Sequence, residues 1–314
     1  MQAQREIIAL VENIEKAIIG KRQVILRAVA ALLAGGHILI EDVPGVGKTQ
    51  LVSALSRSVS GVFHRVQMTP DLMPADIVGY SMIHPESKKL VYQKGPVYCN
   101  FFLADEINRA SPKAQSGLLE VMEERQISVE GGTILLPRPF MVLATQNPVE
   151  TYGTYHLPEA QMDRFLMRIV MGYPSKEKEM QILSEIEGDN PLNDLNEVLG
   201  PADIARMQQE TQNVKANQLI KEYIWEIVNA TRHDENIRLG VSPRGALALQ
   251  RAAKAMAYIN MRDYVIPDDV REVATVVIAH RLILSPKGKS SFVSQEQAVG
   301  QVLERVGVPS AAII

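Results

Sequence analysis

His37-Ile-Leu-Ile-Glu-Asp-Val-Pro-Gly-Val-Gly-Lys-Thr-Gln-Leu-Val-Ser-Ala-Leu-Ser-Arg57 reads as a strand, a glycine-rich loop and a helix in immediate succession. His37–Glu41 is nearly continuous in apolar residues, as expected of a strand buried on both faces of a parallel sheet. Glycines in the following loop let the backbone turn tightly, with its N–H groups aimed at an anion. The onset of a helix at Lys48 adds free donors and the positive end of a dipole. Such a loop suits the phosphates of a nucleotide. Lys48 is expected to bring a cation to the β- and γ-phosphates and Thr49 a hydroxyl to Mg²⁺, while Pro44, Gly45, Val46, Gly47 and Gln50 complete the cradle and first turn. The strict motif has glycine where this chain has Asp42. A carboxylate facing a triphosphate is repelled, so the Asp42 side chain is expected to point away.

Further strands are expected at 62–67, 101–104, 140–145 and 166–170, with helices between them, notably over 112–124. This alternation argues for an α/β core with a parallel sheet covered on both faces. Phe101-Phe-Leu-Ala-Asp-Glu106 is an apolar strand ending in two acids. Burying a bare carboxylate costs several kcal/mol, so acids in such a position meet a cation or a proton. Asp105 fits a place behind Mg²⁺, reached through water. Glu106 fits the base that polarises an attacking water. Phe140-Met-Val-Leu-Ala-Thr-Gln-Asn147 likewise ends in a polar side chain. Ligands of an open α/β sheet bind at the carboxyl ends of its strands, so Asn147 is expected to orient the same water beside the γ-phosphate.

The remaining sequence sets the boundaries. Ile7, Ile8, Val11, Ile14 and Ile18 recur at helical spacing near the N-terminus. After Tyr173-Pro174-Ser175 nearly everything reads as helix. A nucleotide-binding core is therefore expected over residues 1–190 and an all-helical lid over 191–314. The formal net charge of −3 gives no electrostatic excess toward nucleic acid or an anionic membrane. The longest apolar stretch, 28–40, falls short of the roughly 20 residues that span a bilayer. One cysteine, Cys99, cannot form an internal disulfide, so a cytoplasmic location is expected. Six scattered histidines offer no metal-binding spacing and no Gly-x-Ser-x-Gly elbow occurs, which leaves metal-hydrolase and serine-hydrolase chemistry without support.

Together these residues resemble the P-loop AAA+ superfamily and, within it, the MoxR family. Glu41–Thr49 is similar to that family's Walker A, which tolerates an acid at the first-glycine position. Phe102–Ala110 resembles its Walker B, and Ala144-Thr-Gln-Asn-Pro148 its sensor 1. Leu157–Phe165 resembles the arginine-finger segment, and Ser242-Pro-Arg-Gly245 sensor 2. The resemblance implies a homo-oligomer, a hexameric ring with ATP and Mg²⁺ at subunit interfaces. It implies that Arg164 reaches the γ-phosphate of a neighbour and that Arg244 senses nucleotide from the lid, in cis or in trans. Ile19 and Gly20 resemble the segment that touches adenine.

Two insertions bear on what such a machine acts on. The stretch 68–100, between the strands expected at 62–67 and 101–104, resembles the helix-2 insert shared with magnesium chelatases and replicative helicases. Gln126–Leu136 reads as a hairpin turning at Gly131-Gly132. A DNA-translocating hairpin needs cations at its tip, yet Glu130 flanks this turn and no Lys or Arg occurs over 126–137. Nucleic acid is disfavoured. The reading is an ATP-hydrolysing, chaperone-like remodeller or maturation factor acting on a partner complex. By resemblance, its partner is a protein with a von Willebrand factor A domain. The alternatives are a magnesium-chelatase-type ATPase subunit or a slow nucleotide-gated binding module.

Overall fold

The computed structural model describes residues 2–43, 45–86, 88–129, 132–147, 153–174, 176–185, 191–292 and 294–309. Two helices, α1 (Gln2–Ala17) and α2 (Arg22–Leu33), open the chain, and the strand β1 (Ile38–Glu41), α3 (Lys48–Ser58) and β2 (Phe63–Gln67) follow. An excursion through α4 (Pro74–Val78) and the antiparallel hairpin β3 (Gly79–Ile83) and β4 (Leu90–Lys94) leads to β5 (Phe101–Asp105) and α5 (Pro112–Glu124). A second hairpin, β6 (Gln126–Val129) and β7 (Gly132–Leu135), precedes β8 (Met141–Gln146), α6 (Glu159–Met162) and β9 (Met167–Ile169). The tip of that hairpin, Glu130 and Gly131, lies outside the described residues.

Five of these strands form one parallel sheet in the order β2-β5-β8-β1-β9. Side chains alternate between its faces, as the two-residue period of a strand requires. Ile38, Ile40, Phe101, Leu103, Met141 and Leu143 pack with α1–α3, whereas Leu39, Phe102, Ala104, Val142 and Ala144 pack with α5. Both faces are buried, and each fully buried Leu, Ile or Phe contributes about 1.5–3 kcal/mol. The central strands β5, β8 and β1 are buried along their length except at the final residue of each: Asp105, Gln146 and Glu41. The sheet thus opens to solvent at its carboxyl edge.

The helices α7 (Lys176–Glu185), α8 (Pro201–Asn213), α9 (Gln218–Arg232), α10 (Pro243–Ile259), α11 (Pro267–Ile278), α12 (Pro286–Ser291) and α13 (Gln295–Arg305) make up the C-terminal part. Asn217 and Ser242 cap α9 and α10 through side-chain bonds to the backbone N–H of Ile220 and Gly245, the expected start signals. One correction to the all-helical expectation is an antiparallel ribbon, β10 (Ile237–Leu239) with β11 (Ile283–Leu284). Strands of two and three residues are too short to display alternation in sequence. Lid residues such as Leu249 and Val273 share one hydrophobic cluster with α1 and α2. Among the described residues no helix is long and apolar enough to cross a membrane.

Candidate nucleotide site

The loop after β1 ends on Gly47, the N-cap of α3, at φ 90°, and Gly45 sits at φ 85°. Both are left-handed conformations that a side chain resists by about 1–2 kcal/mol. Gly47 gives α3 no side-chain cap, unlike α9 and α10. The first turn of α3 therefore receives no capping side chain from its N-cap residue, as suits an anion-binding helix end. Asp42 is turned aside: its carboxylate accepts from the N–H of Val43 at 2.8 Å and of Gly172, beyond β9, at 2.6 Å. Lys48 Nζ donates to the Asp42 carbonyl at 2.7 Å. Thr49 and Gln50 occupy the first turn of α3. Pro44 lies outside the described residues.

Beside the loop is a cavity of about 260 Å³, lined by Ile18, Ile19, Lys21, Val46, Gly47 and Gln50 among others. Gly20 does not line it; at φ 74° it makes the turn between α1 and α2. Lys21 ties that turn to the far wall, donating to the carbonyls of Met171 at 2.8 Å, Gly172 at 3.0 Å and Tyr173 at 2.8 Å. The apolar and glycine lining suits a flat base, and the open helix end suits phosphates.

Asp105 and Glu106 stand one strand away, with β8 between β5 and β1. Two strand spacings are about 10 Å, within the reach of a nucleotide. Thr145 of β8 organises both acids: its hydroxyl donates to Asp105 Oδ1 at 2.6 Å and accepts the Glu106 N–H at 2.8 Å. Arg65 of β2 donates to Asp105 Oδ2 at 2.6 Å. The Glu106 carboxylate accepts from Gln67 at 2.7 Å and Arg109 at 3.1 Å. Glu106 itself is left-handed, at φ 57°, a strained conformation for a residue other than glycine that concentrates at functional sites. Asn147 follows β8 directly and is buried. Sequence reasoning passed over Thr145, although a hydroxyl ending a run of apolar residues is itself a signal. Arg65 and Gln67 become visible only once β2 is known to pair with β5.

Arg164 and Arg244 are absent from the cavity at the loop. Both bind Glu123, on α5: Arg164 Nε lies 2.8 Å from one carboxylate oxygen, and Arg244 bonds the other. Those bonds, Arg164's first, hold the Glu123 carboxyl below its ordinary range. The two arginines line a separate cavity of about 380 Å³ together with Gly36, His37 and Arg281. His37 precedes β1 whereas the phosphate loop follows it. The two cavities therefore lie at opposite ends of a four-residue strand, about 13 Å long. Asp163 pairs instead with the buried Arg281 at 2.6 Å.

A parallel sheet in this order, a glycine-capped helix after its β1 strand and a C-terminal helical lid together define an AAA+ P-loop ATPase. Comparison with known proteins agrees. The family model "ATPase family associated with various cellular activities (AAA)" matches residues 37–167, and an AAA lid domain model matches 229–302. Chaperone MoxR1 of Mycobacterium tuberculosis is 42% identical, over 95% of this chain and 81% of its own. YeaC of Bacillus subtilis is 49% identical, over 95% and 93%. A solved structure from Cytophaga hutchinsonii, described as a candidate ATPase, superposes with a TM-score of 0.91 at 38% identity, covering 98% of this chain and 96% of that one. The chain belongs to the MoxR family of AAA+ ATPases.

Proposed function

We propose that the chain hydrolyses Mg-ATP in a homo-oligomeric ring, a hexamer by family resemblance, and couples turnover to remodelling of a partner protein complex. The observation that carries this reading is the glycine N-cap of α3 standing one strand from Asp105 and Glu106 at the carboxyl edge of one sheet. In this reading the loop and first turn, Pro44 to Gln50, wrap the phosphates, and Ile19 borders the base, with Gly20 making the turn that places it. Mg²⁺, when bound, neutralises phosphate charge; Thr49 would hold it directly and Asp105 through water. Thr145 and Arg65 fix the Asp105 carboxylate for that task. Glu106 takes a proton from water, held until then by Gln67 and Arg109, and Asn147 orients the same water.

In this reading Arg164 and Arg244, which line a cavity at the other end of β1 from their own chain's loop, act in trans, on the nucleotide of a neighbouring subunit. An arginine in that role is worth about 10³–10⁵ in rate in related P-loop enzymes. We take residues 1–190 as the nucleotide-binding core and 191–314 as the lid; the junction falls among residues 186–190, which lie outside the described residues. Membership of the MoxR family, with a relative named as a chaperone, supports remodelling. It also makes a von Willebrand factor A domain protein the expected partner.

Two variants test the reading. Lys48→Ala is expected to lose ATP binding by equilibrium titration. Glu106→Gln is expected to bind ATP within a few-fold of wild type while turnover falls by about 10² or more, the scale of a lost general base. Full turnover by Glu106→Gln overturns the assignment.

A further inference from the structure

A second cavity, of about 370 Å³, adjoins the arginine chamber on its far side. Three cations line it, Arg125, Arg251 and Lys254, and none of its lining residues is an acid. Glu124, adjacent to Arg125 in sequence, is exposed and does not line the cavity, and Glu123 is taken up by Arg164 and Arg244.

The three cations are held by carbonyl oxygens at two helix ends. Arg251 Nη2 donates to the carbonyls of Ala34 at 2.6 Å and Gly35 at 3.1 Å, and Arg125 also donates to Gly35, all just past the end of α2. Lys254 Nζ donates to Gln212 at 2.8 Å, in the last turn of α8. Capping alone is a sufficient reason for one cation at each end, since a helix C-terminus carries about half a negative charge. Two such ends supply about −1 against +3, leaving roughly two positive charges without a counterpart. Burial, followed by repulsion from neighbouring cations, depresses the pKa of all three groups. Folding alone gives no reason to gather them.

A further observation points to a ligand. Thr211, which lines the same cavity, is 2% exposed, and its hydroxyl oxygen has no hydrogen-bond partner among the described residues. A buried polar atom left without a partner costs about 1–3 kcal/mol. Gln208 and Gln250 add amide groups to the wall. Guanidinium forks, an ammonium, a hydroxyl and amides, with no carboxylate, make a lining that selects a compact, multiply charged oxyanion.

We propose that Arg125, Arg251 and Lys254 form a phosphate-binding site, separate from the nucleotide loop, that takes the mono- or diphosphate group of a small molecule. The site needs neither the loop nor a neighbouring subunit's nucleotide. Because Arg125 and Arg251 also line the chamber of Arg164 and Arg244, an anion bound there changes the field at those arginines.

The test uses the full chain carrying Lys48→Ala, which takes the nucleotide loop out of competition, with pyrophosphate as the titrant in calorimetry. Binding is expected at one site per chain. Affinity should fall about tenfold with Lys254→Gln, as for loss of one charge-assisted contact, and further with Arg251→Gln. Lys254→Gln removes one exposed carbonyl contact, so it keeps the test open should Arg251→Gln fail to fold. Tungstate soaked into crystals of the same protein is expected to give an anomalous peak between the three cations. A peak at the loop alone, or pyrophosphate affinity unchanged by Lys254→Gln, overturns the proposal. A site filled only when wild-type subunits assemble with ATP overturns it as well, because the anion is then the neighbour's nucleotide.

Discussion

At the residue scale, the candidate site depends on a hydroxyl that touches both acids. Thr145 is fully buried, donates to Asp105 and accepts from the Glu106 backbone. It therefore fixes one carboxylate and the strained turn that aims the other. Thr145→Val keeps the shape and removes both bonds. Each lost bond leaves a polar partner short, which predicts a stability loss of about 1–3 kcal/mol in urea denaturation. If Thr145 acts as a positioning residue, kcat falls about 10–100-fold while the Kd for ATP stays within about three-fold, because the loop that grips phosphate is untouched. A purely structural role would lower stability and leave kcat of the folded protein unchanged.

Much of the residue-scale site was legible because phosphate binding imposes a local spacing: Gly45, Gly47, Lys48 and Thr49 are near neighbours in sequence, and Asp105 and Glu106 are adjacent. What was not legible depends on sheet order. Arg65 meets Asp105 and Gln67 meets Glu106 only because β2 lies beside β5, and no feature of Phe63–Gln67 announces its partner. Arg164 likewise meets an acid 41 positions away, Glu123.

At the scale of elements, His37 joins β8 to α5, a strand of the sheet to a helix packed on it. It is buried, accepts the Val142 N–H of β8 at Nδ1 over 2.9 Å, and donates from Nε2 to the Met122 carbonyl of α5 at 3.0 Å. Those partners require the neutral ring with its proton on Nε2. Burial, the largest cause, lowers its pKa from 6.5 to about 4, with Arg125 and Arg251 adding to the effect. Protons therefore favour the unfolded chain. The contribution is whole above about pH 6.5 and is lost as pH falls toward 4. Between pH 7 and pH 5 the loss from this residue is about 2 kcal/mol. In His37→Gln, whose amide can donate and accept without titrating, that part of the pH dependence should vanish. Denaturant titrations of both proteins at the two pH values measure it; equal slopes would mean that His37 is not the group responsible. The alternation of strands and helices was readable at this scale, as was α5 to its end residues, whereas the β10–β11 ribbon left no periodic trace.

At the scale of the whole molecule, the separation of the two cavities has a consequence for assembly. On the proposed reading, a chain with its phosphate loop after β1 and its arginines before β1 carries two half-sites at opposite ends of that strand. Repetition of such a head-to-tail contact closes into a ring when the rotation between copies permits. Complementation between inactive variants tests this directly. Arg164→Ala subunits keep an intact loop, and Lys48→Ala subunits keep intact arginines; each alone should show negligible turnover. In an equal mixture about a quarter of interfaces pair the intact loop of one with the intact arginines of the other. Turnover should then recover to about that fraction of wild type if interfaces act independently. Replacing the Lys48→Ala partner by the Lys48→Ala, Arg164→Ala double variant should remove the recovery, because no interface then holds both halves. Were Arg164 to serve its own chain's nucleotide, no mixing ratio could restore activity, since neither parent contains a complete site.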